Sequence, residues 1–320
     1  MKHFPLFSIV IPTYNRGALI EKTLQSIWQQ TYPHYEVIVV DNCSTDNTAE
    51  VLAPYLRAQR IRLIRHDRNL ERAQSRNTGM GVAQGDFLTL LDSDDLMYPT
   101  NLEDAANYVA AHPDSKCFHN LSQMVDADGK VIYRLRFPDL KDQIKAIAWG
   151  NFMGCTGDFI HREIYTQYRF ATDPLIIGGE DWEFWLRVLA RYKVGRIEKI
   201  NSAVVHHETR SVNSQNIARL EQGLRRVVEN INADPHLSTV YANHLKSIGA
   251  SSMTYLAMLA NEGGSHKLAL SYLYKATKKN VWVLMSRRFL RSLQIALFGL
   301  VSRDSSPPDN SAQNLERRQA

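Results

Sequence analysis

Within the first hundred residues, four short apolar runs alternate with segments of helical period, and this constrains the fold more than any other feature of the sequence. The runs at 7–12, 36–40, 61–65 and 87–91 are strand-length and rich in Ile, Val, Leu and Phe. Between them Ile20, Leu24, Ile27 and Trp28 recur at helical spacing, and 49–56 and 72–81 read as two further helices. Four such alternations predict an α/β fold: a parallel sheet with helices on both faces. In sheets of this kind ligands bind at the carboxyl ends of the strands.

Three of those ends carry polar loops. Pro12 stops the first strand before Thr13-Tyr14-Asn15-Arg16; the second ends in Asp41-Asn42-Cys43-Ser44-Thr45-Asp46; the fourth runs into Asp92-Ser93-Asp94-Asp95. Three carboxylates in four residues repel one another unless a cation lies among them, and oxygen ligands suit a hard ion such as Mg²⁺ or Mn²⁺. Taken alone, the same acids also read as a solvated turn that caps the next helix. Neither G-x-G-x-x-G nor G-x-x-x-x-G-K-[ST] is present, so the dinucleotide and P-loop sites those motifs mark are not indicated.

Beyond Asp95 the pattern predicts a helix over 101–111, a hairpin of 116–124 and 130–137 turning at Asp128-Gly129, a helix over 141–149, a glycine-bearing loop over 151–157 and a short strand over 158–161. Gly179-Glu180-Asp181-Trp182 then opens an aromatic-rich helix. Asp181 stands where the helix dipole favours a negative charge, and its plain reading is an N-cap. Strand material over 194–205 ends in His206-His207, a pair that reads as structural or as ligating.

After residue 215 only helices are predicted, over 217–231, 240–261, 266–278 and 281–300. The middle of this region resembles one helix pair of a tetratricopeptide-type repeat. From Ser265 to Arg303 there are eight Lys or Arg and no acid. In the last helix Val281, Trp282, Leu284, Phe289, Leu293 and Phe298 lie beside Arg287, Arg288 and Arg291. That composition suits a helix resting on an anionic membrane surface, and equally one packed on its own protein. No nucleic-acid motif accompanies the basic stretch. Cys43, Cys117 and Cys155 are widely spaced, residues 1–5 run straight into a strand without signal-peptide shape, and no apolar run is long enough to span a bilayer. The expected location is cytoplasmic, with peripheral attachment to the inner face of the membrane left open by the two readings of the last helix. The expected divisions are 1–215, 216–303 and a disordered tail over 304–320.

Three sets of residues together resemble the family 2 glycosyltransferases, which have the GT-A fold. The first is Val10-Ile11-Pro12-Thr13-Tyr14-Asn15-Arg16 with Val39-Val40-Asp41-Asn42-Cys43-Ser44-Thr45-Asp46. The second is Arg76-Asn77-Thr78-Gly79 leading to Gly85-Asp86 and to Leu91-Asp92-Ser93-Asp94-Asp95, which looks like the family's D-x-D motif. The third is Gly179-Glu180-Asp181-Trp182 with the later His206-His207. The resemblance covers roughly residues 7 to 215.

It implies an inverting enzyme that moves a sugar from a nucleoside-diphosphate sugar to a hydroxyl of a glycan or lipid-linked acceptor, in the synthesis of cell-surface polysaccharide. By the same resemblance Pro12, Thr13, Tyr14, Asn15, Arg16, Asp41, Arg76, Asp92, Ser93 and Asp94 surround the donor. Asp94 binds Mn²⁺ or Mg²⁺ with a later ligand that is His207 or His206; Asp181 is the general base; Glu180 and Trp182 lie on the acceptor side. One departure is Asp41-Asn42, where the family commonly has two acids. A sugar nucleotidylyltransferase and a catalytically silent sugar-nucleotide-binding protein are the alternatives.

Overall fold

The computed structural model describes residues 4–176, 178–207 and 216–304. All but the first residue of the expected tail lies outside them. The described chain falls into two compact units that divide between Asn243 and His244.

In the first unit β1 (Phe7–Thr13), β2 (Tyr35–Asp41), β3 (Arg62–Arg65) and β4 (Phe87–Leu90) alternate with α1 (Ile20–Trp28), α2 (Thr48–Arg57) and α3 (Glu71–Val82). The four strands are parallel in the order β3-β2-β1-β4. All seven residues of β1 are buried, which explains its unbroken apolar run, since a central parallel strand has no wet face. Phe7, Ile9 and Ile11 join Leu24, Ile27, Val37, Val39 and Leu52 in the core on one side of the sheet. On the other side α3 lies so close that a Cβ at Gly79 would meet Cγ1 of Val10 at 2.3 Å.

Past β4 the sheet is mixed; the parallel pairing expected of the first four strands holds for them, and the antiparallel strands come after them. After β5 (Leu96–Met97) and α4 (Asn101–Ala111) come β6 (Cys117–Val125), β7 (Val131–Arg134), α5 (Gln143–Ala148), β8 (Asp158–His161), α6 (Arg162–Gln167), α7 (Glu180–Leu189) and β9 (Val194–Val205). The full order is β3-β2-β1-β4-β8-β6-β9-β5, with β7 paired to β6. β8 is antiparallel to both β4 and β6, and β6 is parallel to β9. The carboxyl ends of β1, β2, β4, β6 and β9 therefore share one end of the sheet with the start of β8 and its leading loop. The predicted hairpin forms, with Gly129 at φ +84° and the Asp126 carboxylate accepting from the amides of Asp128 and Lys130.

The change to helices after residue 215 does not coincide with the division between units. α8 (Ile217–Ala233) and α9 (Pro235–Val240) belong to the first unit. A Cβ at Gly223 would meet the Leu175 carbonyl at 2.4 Å, and Tyr241 donates its hydroxyl to the Leu186 carbonyl at 2.8 Å. These contacts tie α8 and the segment after α9 to the loop before α7 and to α7 itself.

The second unit holds α10 (Leu245–Glu262), α11 (His266–Lys279), a 3₁₀ turn (Val281–Met285) and α12 (Arg287–Asp304). Small residues, Ala257, Ala260, Ala269 and Ala276, are buried in it. The helix predicted over 240–261 is interrupted before Leu245. The one predicted over 281–300 breaks at Ser286, whose backbone is extended.

Candidate active site

The loops after β1 and β2 are laced together. Asn15, at φ +51°, accepts through Oδ1 from the Thr45 amide at 2.8 Å; its own amide donates to Ser44 Oγ, and the amides of Arg16 and Gly17 donate to Thr48 Oγ1 and Asp46 Oδ2. The Asn15 side chain thus holds the neighbouring loop. Pro12 lies within β1 opposite Val40. Thr13 and Asp41 end their strands, are nearly fully buried and pair in register. Asp41 accepts from the Ser44 amide at 2.9 Å and pairs with Arg65 at 3.3 Å. Tyr14 stands exposed at the rim.

The departure at Asn42 has a structural reason. Its Oδ1 lies 2.9 Å from Nδ1 of His66 and accepts from the Leu70 amide at 2.9 Å, while its Nδ2 donates to Asn69 Oδ1 at 2.7 Å. One amide side chain serves as both donor and acceptor to the loop before α3, a combination that no carboxylate offers.

The acidic loop after β4 divides its carboxylates among different partners. One oxygen from each of Asp92, Asp94 and Asp95 lies within 4.8 Å of the others. Asp94 faces His207 Nε2 at 3.0 Å and Arg16 Nε at 3.4 Å. Asp92 pairs with Arg76 Nη2 at 3.3 Å. Asp95 is buried and uses both oxygens inside the protein: Oδ2 accepts from Thr156 Oγ1 at 2.8 Å and Oδ1 from the Val205 amide at 3.1 Å. Ser93 is buried between them. Of the two histidines, His207 reaches the acids; His206 is exposed, and its amide donates to the Val125 carbonyl. Carboxylates at 92 and 94 with an imidazole at 207 form a donor set suited to Mn²⁺ or Mg²⁺, the imidazole favouring Mn²⁺.

Asp181 is the second residue of α7; the capping position belongs to Gly179, which has no side chain to cap with. Asp181 Oδ1 accepts from the Trp182 amide at 2.7 Å and Oδ2 from Asn151 Nδ2 at 3.1 Å. The residue is half-buried. Burial, followed by the negative charge of Glu180, pushes its pKa up to about 6, against the opposing effects of Arg76 and Arg72. A carboxylate so placed can take a proton near neutral pH.

Glu180 and Trp182, expected on the acceptor side, are committed to the protein. Glu180 Oε1 meets Arg72 Nε at 3.0 Å and Arg76 Nη1 at 3.2 Å, and Oε2 accepts from the Gly178 amide. Burial works against its charge, but the two arginines outweigh it and its pKa is lowered. The Trp182 indole N–H donates to the Ile147 carbonyl at 2.8 Å. Between them the two residues fix the start of α7 and with it Asp181. Arg76, 2 % exposed, links Glu180 to Asp92.

Three residues of this site hold buried polar atoms without a protein partner: Thr13 Oγ1, Arg76 Nε and Asn151 Oδ1. Unpaired buried groups cost stability, and a ligand that satisfies them offsets that cost. Asn151, Thr156 and Arg72 are absent from the sequence-based set. The signal for the first two would have been the antiparallel sense of β8, which brings its leading loop to the ligand end.

The family model described as Glycosyl transferase family 2 matches residues 8–168. The Bacillus subtilis (strain 168) glycosyltransferase TuaG, whose name assigns it provisionally to teichuronic acid biosynthesis, is 32 % identical over 188 residues, 58 % of this chain and 73 % of its own. The structure of Staphylococcus aureus TarS 1–349 with UDP-GlcNAc is similar at a TM-score of 0.63 and 19 % identity, over 86 % of this chain and 88 % of that one. The Pyrobaculum calidifontis mannosyltransferase PcManGT with GDP-Man and Mn²⁺ gives 0.60 and 18 %, over 97 % and 89 %. These two establish the fold, which is GT-A. With half of its length matched by the family model, and a relative above 30 % identity, the chain belongs to glycosyl transferase family 2.

Proposed function

We propose that this glycosyltransferase moves a sugar from a nucleoside-diphosphate donor to a hydroxyl of a glycan or lipid-linked acceptor in cell-surface polysaccharide synthesis, with inversion at the anomeric carbon. The observation that carries the reading is the chain Asp92–Arg76–Glu180, buried at Arg76 and Glu180, which runs from the half-buried acid of the loop after β4 to the residue beside Asp181. It couples the place where a diphosphate would be held to a carboxylate whose pKa is suited to a base.

In this reading Thr13 and Asp41 hold the nucleoside, with Tyr14 at its rim. Asp94 and His207, with Asp92 beside them, would hold Mn²⁺ or Mg²⁺. When bound, such an ion supplies Lewis-acid stabilisation to the departing diphosphate. Arg16 and Arg76 bring fixed positive charge to the same place. Asp181 accepts the proton of the attacking hydroxyl, and Asn151 and the Trp182 amide hold its carboxylate in position. A single displacement needs no covalent enzyme intermediate. The relatives support the donor class: TarS is known with UDP-GlcNAc and PcManGT with GDP-Man and Mn²⁺. TuaG's name supports a polysaccharide acceptor.

The test is a panel of nucleoside-diphosphate sugars with Mn²⁺, scored for nucleoside diphosphate release with and without glycan or lipid extract. Acceptor-stimulated release from one donor, lost on Asp181→Asn, is the expected result. Donor binding without release by any acceptor would favour a silent binding protein instead.

A further inference from the structure

Large exposed apolar side chains are concentrated in the second unit. Ten of the 17 on the described surface lie beyond His244. The 3₁₀ turn presents Val281, Trp282, Leu284 and Met285, with Trp282 71 % and Met285 79 % exposed. α12 adds exposed Leu290 and Leu297 on one flank and Ile295 on the other, with Arg287, Arg291 and Gln294 between them, facing away from the buried Phe289, Ser292 and Ala296. An ordinary surface helix turns polar residues outward; this one sets exposed apolar side chains on both flanks of its outward arginines. A patch of this extent on a protein in water marks an interaction site.

Its charge identifies the partner. Eight Lys or Arg and no acid occur from Ser265 to Arg303. Arg287 and Arg291 stand outward among the exposed apolar residues, Arg291 within reach of the Glu262 carboxylate, and Lys278 and Lys279 precede the turn. Arg288 instead lies inward, its Nη1 3.5 Å from Ser251 Oγ, and Phe289 is buried, so the contact face is narrower than composition suggests. We propose that the Val281–Met285 turn and the outer face of α12 dock on an anionic lipid bilayer, with Trp282 and Met285 entering the interface and the flanking cations over the headgroups. Trp at a headgroup boundary with Lys and Arg beside it is the chemistry of such surfaces. A second copy of this chain is a poor occupant, because it would set cations against cations. No described helix is long and apolar enough to cross a membrane, so the contact lies on the surface.

The proposal stands apart from the reaction assigned above, since its test contains no donor or acceptor. The full chain is sedimented with vesicles of phosphatidylcholine alone or with about one-third phosphatidylglycerol, at low and high salt. Binding is expected only to the anionic vesicles and should weaken by about tenfold or more as salt rises. Trp282→Ser with Met285→Ser should abolish most of it, and Arg287→Gln with Arg291→Gln should remove the preference for anionic lipid. All four side chains are exposed, so the melting temperature should fall by no more than a few degrees, the Arg291 change contributing through its loss of charge beside Glu262. Brominated phosphatidylglycerol should quench the fluorescence of the parent chain far more than that of Trp282→Phe. Failure to bind either vesicle, equal binding to both, or equal binding by the Ser variant overturns the proposal. So does a lipid-free dimer that the Ser variant dissolves, which would make the patch an interface between copies.

Discussion

His207 Nε2 lies 3.0 Å from Oδ2 of Asp94, across 113 residues of sequence. The strand β9 that delivers the histidine is separated from β4, which delivers the acid, by β8 and β6. Neither residue is near the other until the mixed half of the sheet has formed. If the pair ligates a divalent ion, Asp94→Ala and His207→Ala should each weaken Mn²⁺ binding by at least about tenfold, while His206→Ala should leave it within about twofold. Mn²⁺ electron paramagnetic resonance measures this directly. Unchanged binding in both variants, together with turnover that resists EDTA, would remove the metal from the reaction.

Asp181→Asn keeps the shape of the side chain and removes the proton acceptor. Turnover should fall by about two to four orders of magnitude, the usual worth of general-base catalysis, with donor affinity nearly unchanged. In the parent enzyme kcat/KM for the acceptor should rise with pH through about 6 and then level, because only the ionised carboxylate accepts a proton. An Asn variant with near-parental turnover would return Asp181 to a structural role at the helix start.

The same group makes a stability prediction of opposite sense. The folded protein holds the Asp181 proton more tightly than the unfolded chain, whose aspartate titrates near 3.8, so its contribution to stability is present below pH 3.8 and lost as pH rises through about 6. The ionised, half-buried carboxylate at pH 8 therefore costs on the order of 3 kcal/mol. Asp181→Asn should raise the melting temperature at pH 8 by roughly 5 °C and leave it nearly unchanged at pH 4. Equal shifts at both pH values would show that the carboxylate carries no burial penalty.

Much of the donor half is legible in the sequence because its elements are local and repetitive. β1, β2 and β4 each end in a loop whose polarity contrasts with the apolar run before it. That contrast alone places Thr13, Asp41 and Asp92 to Asp95 at one end of the sheet. The acceptor half is less legible. A four-residue strand such as β8 carries no mark of its direction, and only its antiparallel pairing brings Asn151 and Thr156 to the site. Glu180 reads from sequence as a neighbour of the base; its burial against Arg72 and Arg76 depends on α3 and α7 meeting, which no periodicity encodes. The break at Ser286 is hidden because the apolar pattern runs on through it.

Asp95 illustrates how such distant contacts can be tested. It belongs to the acidic loop, yet it ties that loop to Thr156 and to the Val205 amide, two residues before His207. It therefore acts as a positioning residue for the histidine. Asp95→Ala removes both acceptors, so the end of β9 loses this anchor; Asp95→Asn would not, because its N–H₂ could donate to the Thr156 hydroxyl while its oxygen stays on the Val205 amide. Mn²⁺ affinity should fall by about 10- to 100-fold, the usual worth of a residue that orients a ligand, with a melting-temperature loss of only a few degrees. Thr156→Val should lower stability similarly but leave Mn²⁺ affinity within about threefold, because the Asp95 to Val205 contact survives. Equal effects of Asp95→Ala and Thr156→Val on Mn²⁺ affinity would mean that Asp95 supports the loop in general and does not position His207.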